Sequence, residues 1–432
     1  MNAAWGPPAP KSQRTKLLLS LAVNFATRIP GAVGIFLILP LLRFDLGVRG
    51  YGFLLGALAL GSTSTFLFGG FNTMGRRLVG EAHAARDREG EAAGVVSMFA
   101  VNGCVYLLTL AGIGAYAAVQ PDPGTLFLIA SLVSTAAFAN TFDNARAAYN
   151  EHYVTALFQI VFQVILIGLA FLVRPIRENP VLAALAIQGH LLLASLVAGV
   201  HLVSARPYLL GGAARRAGWI ARGGFRIGIA DGLLAASLGL SVVWMQAGAP
   251  ASLAGWYATL VRLFQSFAVP VMLLLMPLSS YVRLGWNDRD PGRQDRILRT
   301  TAIAGLGYGV MASTALWGIS VFYIETVLKL PGPASLPVAF AIFALFAAII
   351  ACRSYSTIAY VVTDGARIAR WITGGILVSL GIAVAVRGYL AQIQTVAVYA
   401  ALASVVLLVA VLAGLAGQCQ RGGRVSGTRT RQ

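Results

Sequence analysis

Apolar residues fall in long runs along this chain, separated by short links rich in charged residues, proline or glycine. A helix needs about 20 mostly apolar residues to cross the hydrocarbon core of a bilayer. About twelve runs approach or meet that length, at 17–42, 51–75, 94–119, 125–149, 154–173, 180–204, 223–247, 253–281, 300–328, 334–360, 371–386 and 393–417. The pattern therefore predicts about twelve membrane-spanning helices.

The composition agrees with a chain that lies mostly in lipid. Of its 432 residues, 58% are hydrophobic and 11% are charged, and the mean hydropathy is +0.76. Such a chain has too few polar groups to cover a water-facing surface. The predicted fold class is an all-α membrane protein of about 12 transmembrane helices, arranged in two six-helix lobes around a central cavity.

The formal net charge of +18 comes from basic residues that alternate with the predicted spans. Most of them, such as Arg76, Arg77, Arg215 and Arg216, fall in links that lie inside if the N-terminus is inside. This positive-inside pattern places both termini in the cytoplasm. The same charge predicts attraction to anionic membrane lipids. Because the charge does not form one patch, it argues against a nucleic-acid partner.

The chain contains a loose internal repeat. Residues 254–299 run from a glycine and two aromatic residues through an apolar span into a charged loop, and residues 50–94 follow the same order. Repeated halves are common in transporters. The repeat predicts an N-terminal lobe at 1–204, a cytoplasmic connector at 205–222, and a C-terminal lobe at 223–432 that ends in a basic tail.

Of the arginines within the predicted spans, Arg28 in the first and Arg262 in the eighth lie deepest. An arginine in hydrocarbon costs roughly 2.5–3.5 kcal/mol on insertion scales, so each is expected to face protein or a wet cavity. Carbonyls freed at nearby kinks are an alternative partner for each. The candidate hinges that would bend these helices are the prolines Pro30, Pro40, Pro270 and Pro277.

Further polar residues in or near the spans are candidates for a cavity wall, a glycan contact or a gate: Asn24, Asp143, Arg146, Gln159, Gln163, Arg226, Asp231, Arg353 and Tyr355. Asp143 and Arg146 are spaced to form a local ion pair on one helical face, or to act as a gate. Gln159 and Gln163 lie one turn apart. Amides at that spacing can line a sugar-binding wall or form hydrogen bonds between helices. The sixth span adds Gln188 and His190.

The sequence lacks the motifs of common cofactor sites. Cys104, Cys352 and Cys419 are far apart and form no CxxC or Cys/His cluster, so no metal site is predicted. No G-x-x-x-x-G-K-[ST] motif occurs, so ATP hydrolysis by that route is not expected. We therefore expect a protein that is not an enzyme and that uses no cofactor.

The segments FRIGIADGLLAASLGL and LAGWYATLVRLFQSFAVPVMLLLMPLSSYVR, with the first-half echo GVRGYGFLLGALALGSTSTFLFGGFNTMGRR, resemble polysaccharide-transporter flippases of the MOP exporter superfamily. The opening Gly255 to Ala258, the interior Arg262 and the Pro277 to Ser279 ending carry the likeness. One departure is the run from Val243 to Gln246, where family members often have an aspartate. Asp231 lies earlier on that span.

The resemblance implies a function. Such a flippase moves an undecaprenyl-pyrophosphate-linked glycan from the inner to the outer leaflet of the bacterial inner membrane by alternating access, for surface polysaccharide biosynthesis. It implies that Arg28 and Arg262 bind the lipid pyrophosphate in a central cavity. Its expected partners are the lipid-linked oligosaccharide, anionic lipids and, as protein candidates, the polysaccharide polymerase and chain-length machinery.

Two other functions fit parts of the sequence. A cation or drug antiporter of the same superfamily would keep the architecture and use a buried carboxylate, for which Asp231 is the candidate. A membrane-embedded glycan polymerase or ligase would need an acid or base on the outer side. The outer links offer only Asp45, Asp122 and Glu178, with Glu325 near a helix end.

Overall fold

A computed structural model describes the backbone of residues 22, 23, 26, 28–149, 151–284, 291–362 and 366–428. Within these ranges, side chains are not described at 28–32, 64, 66, 231, 235–237, 240, 269–270, 272–274, 276–284, 291–294, 361–362, 366 and 417–428. The described chain is helical and contains no strand.

The α-helices follow one another along the chain as α1 (Arg28–Ala84), α2 (Arg88–Ala117), α3 (Pro123–Ala139), α4 (Thr141–Ala148), α5 (His152–Leu172), α6 (Arg174–Glu178), α7 (Pro180–Ala205), α8 (Ala217–Gly248), α9 (Ala251–Leu284), α10 (Pro291–Ile319), α11 (Leu336–Val362), α12 (Ala366–Val386) and α13 (Gln392–Thr428). A 3-10 helix at Pro207–Gly211 follows α7, and a π-helix at Ser320–Val327 follows α10.

These helices account for the predicted apolar runs, and the all-α membrane fold is confirmed. In the part of the chain that the structure describes, eight helices are long and apolar enough to cross a membrane. Helix α1 covers the first run from Arg28 onward and the whole second run, and breaks at Gly47, whose φ of 68° lies in the left-handed region that favours glycine. The break falls between 42 and 51, where the apolar pattern is interrupted.

The chain forms two compact units. The first unit contains residues 16–266 and 320–332. Part of its core is a cluster of buried residues around Phe71, Met98, Tyr149 and Leu202. Helix α1 approaches α8 backbone to backbone, because a Cβ built on Gly70 would clash with the main chain at Gly224 and Gly228. Small residues allow such close contact between membrane helices, which accounts for the glycines of the second run.

The second unit contains the described residues within 267–319 and 333–428. Its helices also pack through small residues, since a Cβ on Gly309 would lie 2.6 Å from the carbonyl oxygen of Ala347. The rings of Trp317 and Phe343 stack with their centroids 5.6 Å apart. Tyr308 donates a hydrogen bond of 2.9 Å to the carbonyl oxygen of Phe267.

The two units differ from the predicted sequence halves. Helix α8, the first part of α9 and the π-helix belong to the first unit, although they follow the connector at 205–222. Helix α9 runs through both units, with the change after Ser266. The division into six-helix lobes at 1–204 and 223–432 stays a prediction.

Candidate functional site

Arg262 lies on α9 in the first unit with its side chain half-buried. Its guanidinium contacts the side-chain amide of Gln188 on α7. With the amide turned so that its oxygen faces the arginine, that oxygen accepts hydrogen bonds of 2.6 and 2.9 Å from the two terminal nitrogens. A longer contact of 3.5 Å reaches Oε1 of Gln265, one turn along α9. The arginine is therefore held between two helices by neutral amides.

Further polar contacts surround this arginine. The hydroxyl groups of Tyr51 and Thr259 are 2.9 Å apart, and both residues are fully buried. Thr259 lies one turn before Arg262 on α9, and Tyr51 interacts electrostatically with the arginine. The Gln246 amide donates to the Gly52 carbonyl, so α8 is bonded to α1 beside the site. We call Tyr51, Gln188, Thr259, Arg262 and Gln265 the Arg262 cluster.

The positive charge of Arg262 has no ion-pair partner among the described side chains. Buried arginines are usually neutralised by a nearby carboxylate, because removing a charge from water is costly. Among the described side chains, amide dipoles alone solvate the guanidinium. The cluster can therefore accept an anionic group through charge-assisted hydrogen bonds.

Several predicted residues lie outside what the structure describes. Asn24 is not described. Arg28 and Pro30 lie on α1, and Asp231, Pro270 and Pro277 lie on α8 and α9, but their side chains are not described. Pro40 lies inside α1. The predicted sharing of a cavity by Arg28 and Arg262 stays a prediction.

Asp143 and Arg146 do not form the ion pair that their spacing suggested. Asp143 instead lies 3.2 Å from Nδ1 of His152. Arg146 is fully buried; it donates 3.0 Å to the carbonyl oxygen of Ala198 and lies 3.5 Å from Glu151. The turn after α4 brings His152 and Glu151 back toward the helix end, so each charge finds a nearer partner there.

The remaining predicted residues are scattered. Gln159 is half-buried and Gln163 is buried on α5, and Arg226 is exposed on α8. Arg353 is half-buried and Tyr355 is fully buried, and both belong to the second unit. None of these five belongs to the Arg262 cluster. Of that cluster the sequence analysis noted Arg262 and Gln188. Thr259 and Gln265, at three residues on either side of Arg262, were a polar signal that it missed.

A second polar cluster ties the connector to the first unit at its predicted cytoplasmic end. The Glu91 carboxylate accepts hydrogen bonds of 2.6 Å from Tyr208 and 3.0 Å from Tyr149. Arg206 bonds to Glu151 at 2.7 Å and lies over the Tyr149 ring. Burial lowers the pKa of Arg206, but the bond to Glu151 and its charge outweigh burial and raise that pKa. Burial and the Glu91 carboxylate both raise the pKa of Tyr149.

Comparison with known proteins assigns the fold. No protein-family model matches the chain, and no curated protein matches its sequence. The eukaryotic MATE transporter AtDTX14 is similar in structure with a TM-score of 0.66 at 16% identity, over 95% of this chain and 98% of that chain. An outward-facing multidrug resistance MATE family transporter of the MOP superfamily matches with a TM-score of 0.59 at 14% identity, over 96% and 97%.

An inward-facing multidrug resistance MATE family transporter of the MOP superfamily matches as well, with a TM-score of 0.56 at 13% identity, over 95% of this chain and 99% of that chain. These likenesses show that the chain has the fold of the MATE transporters of the MOP superfamily over nearly its whole length. It is a multi-pass membrane protein of that fold. At these identities the likeness does not extend to the cargo.

Proposed function

We propose that this protein is a transporter of the MOP superfamily that flips an undecaprenyl-pyrophosphate-linked glycan from the inner to the outer leaflet of the bacterial inner membrane. The fold supports transport by alternating access, since solved structures of that fold are described in both outward-facing and inward-facing conformations. The observation that carries the choice of cargo is that the charge of Arg262 has no carboxylate partner among the described side chains.

The physical problem for such a cargo is its pyrophosphate, because anionic charge is prohibitively costly in hydrocarbon. A guanidinium supplies counter-charge and paired donors that match phosphate oxygens. Gln188 holds the Arg262 guanidinium without cancelling its charge. Arg28 would supply a second cation, and the hydroxyl groups of Tyr51 and Thr259 are neutral polar groups beside Arg262. In this mechanism the lipid tail stays in the bilayer while the head group crosses.

The carboxylates near the helix ends support an anionic cargo over a cationic one. Asp45 is 4% exposed and pairs with Arg177 at 2.5 Å. Glu151 pairs with Arg206 at 2.7 Å. A carboxylate that is already neutralised by a cation binds a transported cation weakly, because that cation must displace the first. These acids are therefore poor candidates for a cation site.

The experiment that tests the proposal replaces Arg262 in a reconstituted system. Sealed vesicles containing the full chain and a fluorescent lipid-linked oligosaccharide report flipping when an impermeant quencher reaches the exposed glycan. We expect Arg262→Ala to lower the flipping rate at least about tenfold, the loss for about 1.4 kcal/mol, and Arg262→Lys to retain part of it. Arg222→Ala, which removes an exposed arginine on α8, is the matched control.

A cation or drug antiporter remains the second candidate, because the multidrug MATE structures share the fold equally well. Asp231 on α8 and the half-buried Glu325 on the π-helix are the acids that keep it open. The double variant Arg28→Ala with Arg262→Ala separates the two. Glycan flipping by the wild type that the double variant loses, with no cation efflux by either protein, supports the flippase, whereas cation efflux that the double variant keeps supports the antiporter.

A glycan polymerase or ligase is less well supported by the outer links. Asp45 is paired with Arg177, Asp122 caps the start of α3 by accepting from the amide of Thr125, and Glu178 pairs with Arg174 at 2.7 Å. These three carboxylates therefore have structural roles. Formation of new glycosidic bonds by the purified protein alone would revive the enzymatic alternative.

A further inference from the structure

A cavity of about 210 Å³ opens at the predicted cytoplasmic end of the first unit. The start of α2 forms its floor through the buried Ala92 and Ala93. The connector after α7 forms its walls, with Tyr208 and Gly212 among them. The volume is smaller than the roughly 300–1,000 Å³ of pockets for drug-sized ligands, and suits a fragment such as a head group.

The cavity is a built feature, because several bonds hold the connector to α2. The hydroxyl of Tyr208 donates 2.6 Å to the carboxylate of Glu91. The backbone amide of Arg216 donates 3.1 Å to the hydroxyl of Ser97. Gly212 lies so close to the α2 main chain that a Cβ there would clash with Ala92. The walls are therefore fixed relative to the floor.

The cavity rim carries positive charge. Arg88 forms no hydrogen bond with the described residues, and its guanidinium lies 5.5 Å from the centre of the Tyr208 ring. Arg215 pairs with Glu89 at 2.9 Å, and both side chains are largely exposed. Such an exposed pair contributes little stability and opens readily. The rim thus offers one free guanidinium and a second that can be shared.

The surface beside the cavity is suited to lipid. Leu210, Trp219 and Phe225 are large apolar residues that are 70%, 41% and 59% exposed. They alternate along the chain with the exposed arginines Arg216 and Arg222. Exposed apolar side chains next to basic ones are typical of a segment that lies in the membrane interface.

We propose that this cavity binds the phosphate-bearing head group of an anionic phospholipid of the cytoplasmic leaflet. Arg88 is its phosphate ligand, and Arg215 is a second ligand that it shares with Glu89. A guanidinium matches a phosphate with two parallel hydrogen bonds. The acyl chains lie along the apolar side chains of the connector. The bound lipid links α2 to the connector, and this role is independent of the cargo proposed above.

The test measures lipid binding to the purified full chain by native mass spectrometry, during titration with phosphatidylglycerol or phosphatidylcholine. We expect phosphatidylglycerol to bind at least about tenfold more tightly than phosphatidylcholine, and the double variant Arg88→Gln with Arg215→Gln to abolish that preference. The charge-matched control is Arg86→Gln with Arg367→Gln, which removes two exposed arginines that neither line the cavity nor belong to the apolar surface beside it. This control variant should still bind phosphatidylglycerol more tightly than phosphatidylcholine.

A steric variant tests the cavity without changing charge. A Cβ on Gly211 meets no atom within 4 Å, so the backbone accepts a side chain there, and Gly211→Leu should narrow the opening. We expect it to weaken phosphatidylglycerol binding as strongly as the double arginine variant. An equal loss of the preference in the control with Arg86→Gln and Arg367→Gln, or unchanged binding in Gly211→Leu, would overturn the proposal. Displacement of the lipid by excess glycerol 3-phosphate would show a soluble phosphate site instead and would also overturn it.

Discussion

The guanidinium of Arg262 on α9 donates to the side-chain oxygen of Gln188 on α7 at 2.6 and 2.9 Å. This contact joins two helices that are distant in the sequence and lie in the same compact unit. An amide in that position fixes the direction of the guanidinium and leaves its full charge. A carboxylate would have fixed the direction of the guanidinium equally well but would have neutralised its charge. The choice of an amide is what we expect of a site that receives an anion.

The variant Gln188→Glu should therefore separate stability from transport. The new carboxylate would pair with Arg262 at hydrogen-bonding distance, so the thermal stability should be unchanged or higher. The flipping rate should fall at least about tenfold, because the charge for the pyrophosphate is neutralised. Gln188→Leu should instead lower the stability by about 1–3 kcal/mol, since it leaves a buried donor without a partner. Wild-type flipping by Gln188→Glu would contradict the role of that charge.

The sequence predicted the helices well and the site only in part. The long apolar runs predicted the helices, and the interruption between 42 and 51 coincides with the break at Gly47. Hydropathy carries no signal for a contact between distant helices, so the pairing of Gln188 with Arg262 could not be derived. Run 300–328 is evenly apolar, so neither its change to a π-helix at Ser320–Val327 nor the inclusion of that segment in the first unit was predictable.

The close approach of α1 to α8 predicts that Gly70 cannot be enlarged. A Cβ there would clash with main-chain atoms of Gly224 and Gly228, which cannot move independently of α8. Gly70→Ala should lower the free energy of unfolding by about 1–3 kcal/mol, the usual cost of overpacking. Gly112→Ala is the control, because a Cβ there meets no atom within 4 Å. Denaturant titration of both variants measures the difference, and equal stabilities would show that the helices separate easily.

The raised pKa of Tyr149 predicts a loss of stability in alkali. Unfolded tyrosine ionises near pH 10, whereas burial and Glu91 keep Tyr149 neutral in the folded protein. The folded pKa is raised, so its stabilising effect is complete below about pH 10 and declines as the pH rises further. Tyr149→Phe should show a shallower decline than the wild type between about pH 10 and 11, by up to about 1.4 kcal/mol per pH unit. Parallel thermal unfolding curves in that range would contradict the assignment.

The charge of Arg262, which no described carboxylate neutralises, also predicts how the membrane potential acts on transport. A pyrophosphate with about two negative charges that moves outward gains roughly 5 kcal/mol per 100 mV when the inside is negative, and the empty cationic site is drawn back inward. Arginines bound to the cargo neutralise part of its charge, which reduces the gain on outward movement. The inward pull on the empty cationic site is unchanged. Collapsing the potential in sealed vesicles with valinomycin and potassium should slow flipping, while nigericin, which removes only the pH difference, should have little effect. The hypothesis of potential-driven flipping is falsified if the rate is unchanged by valinomycin, and a loss with nigericin alone would indicate proton coupling.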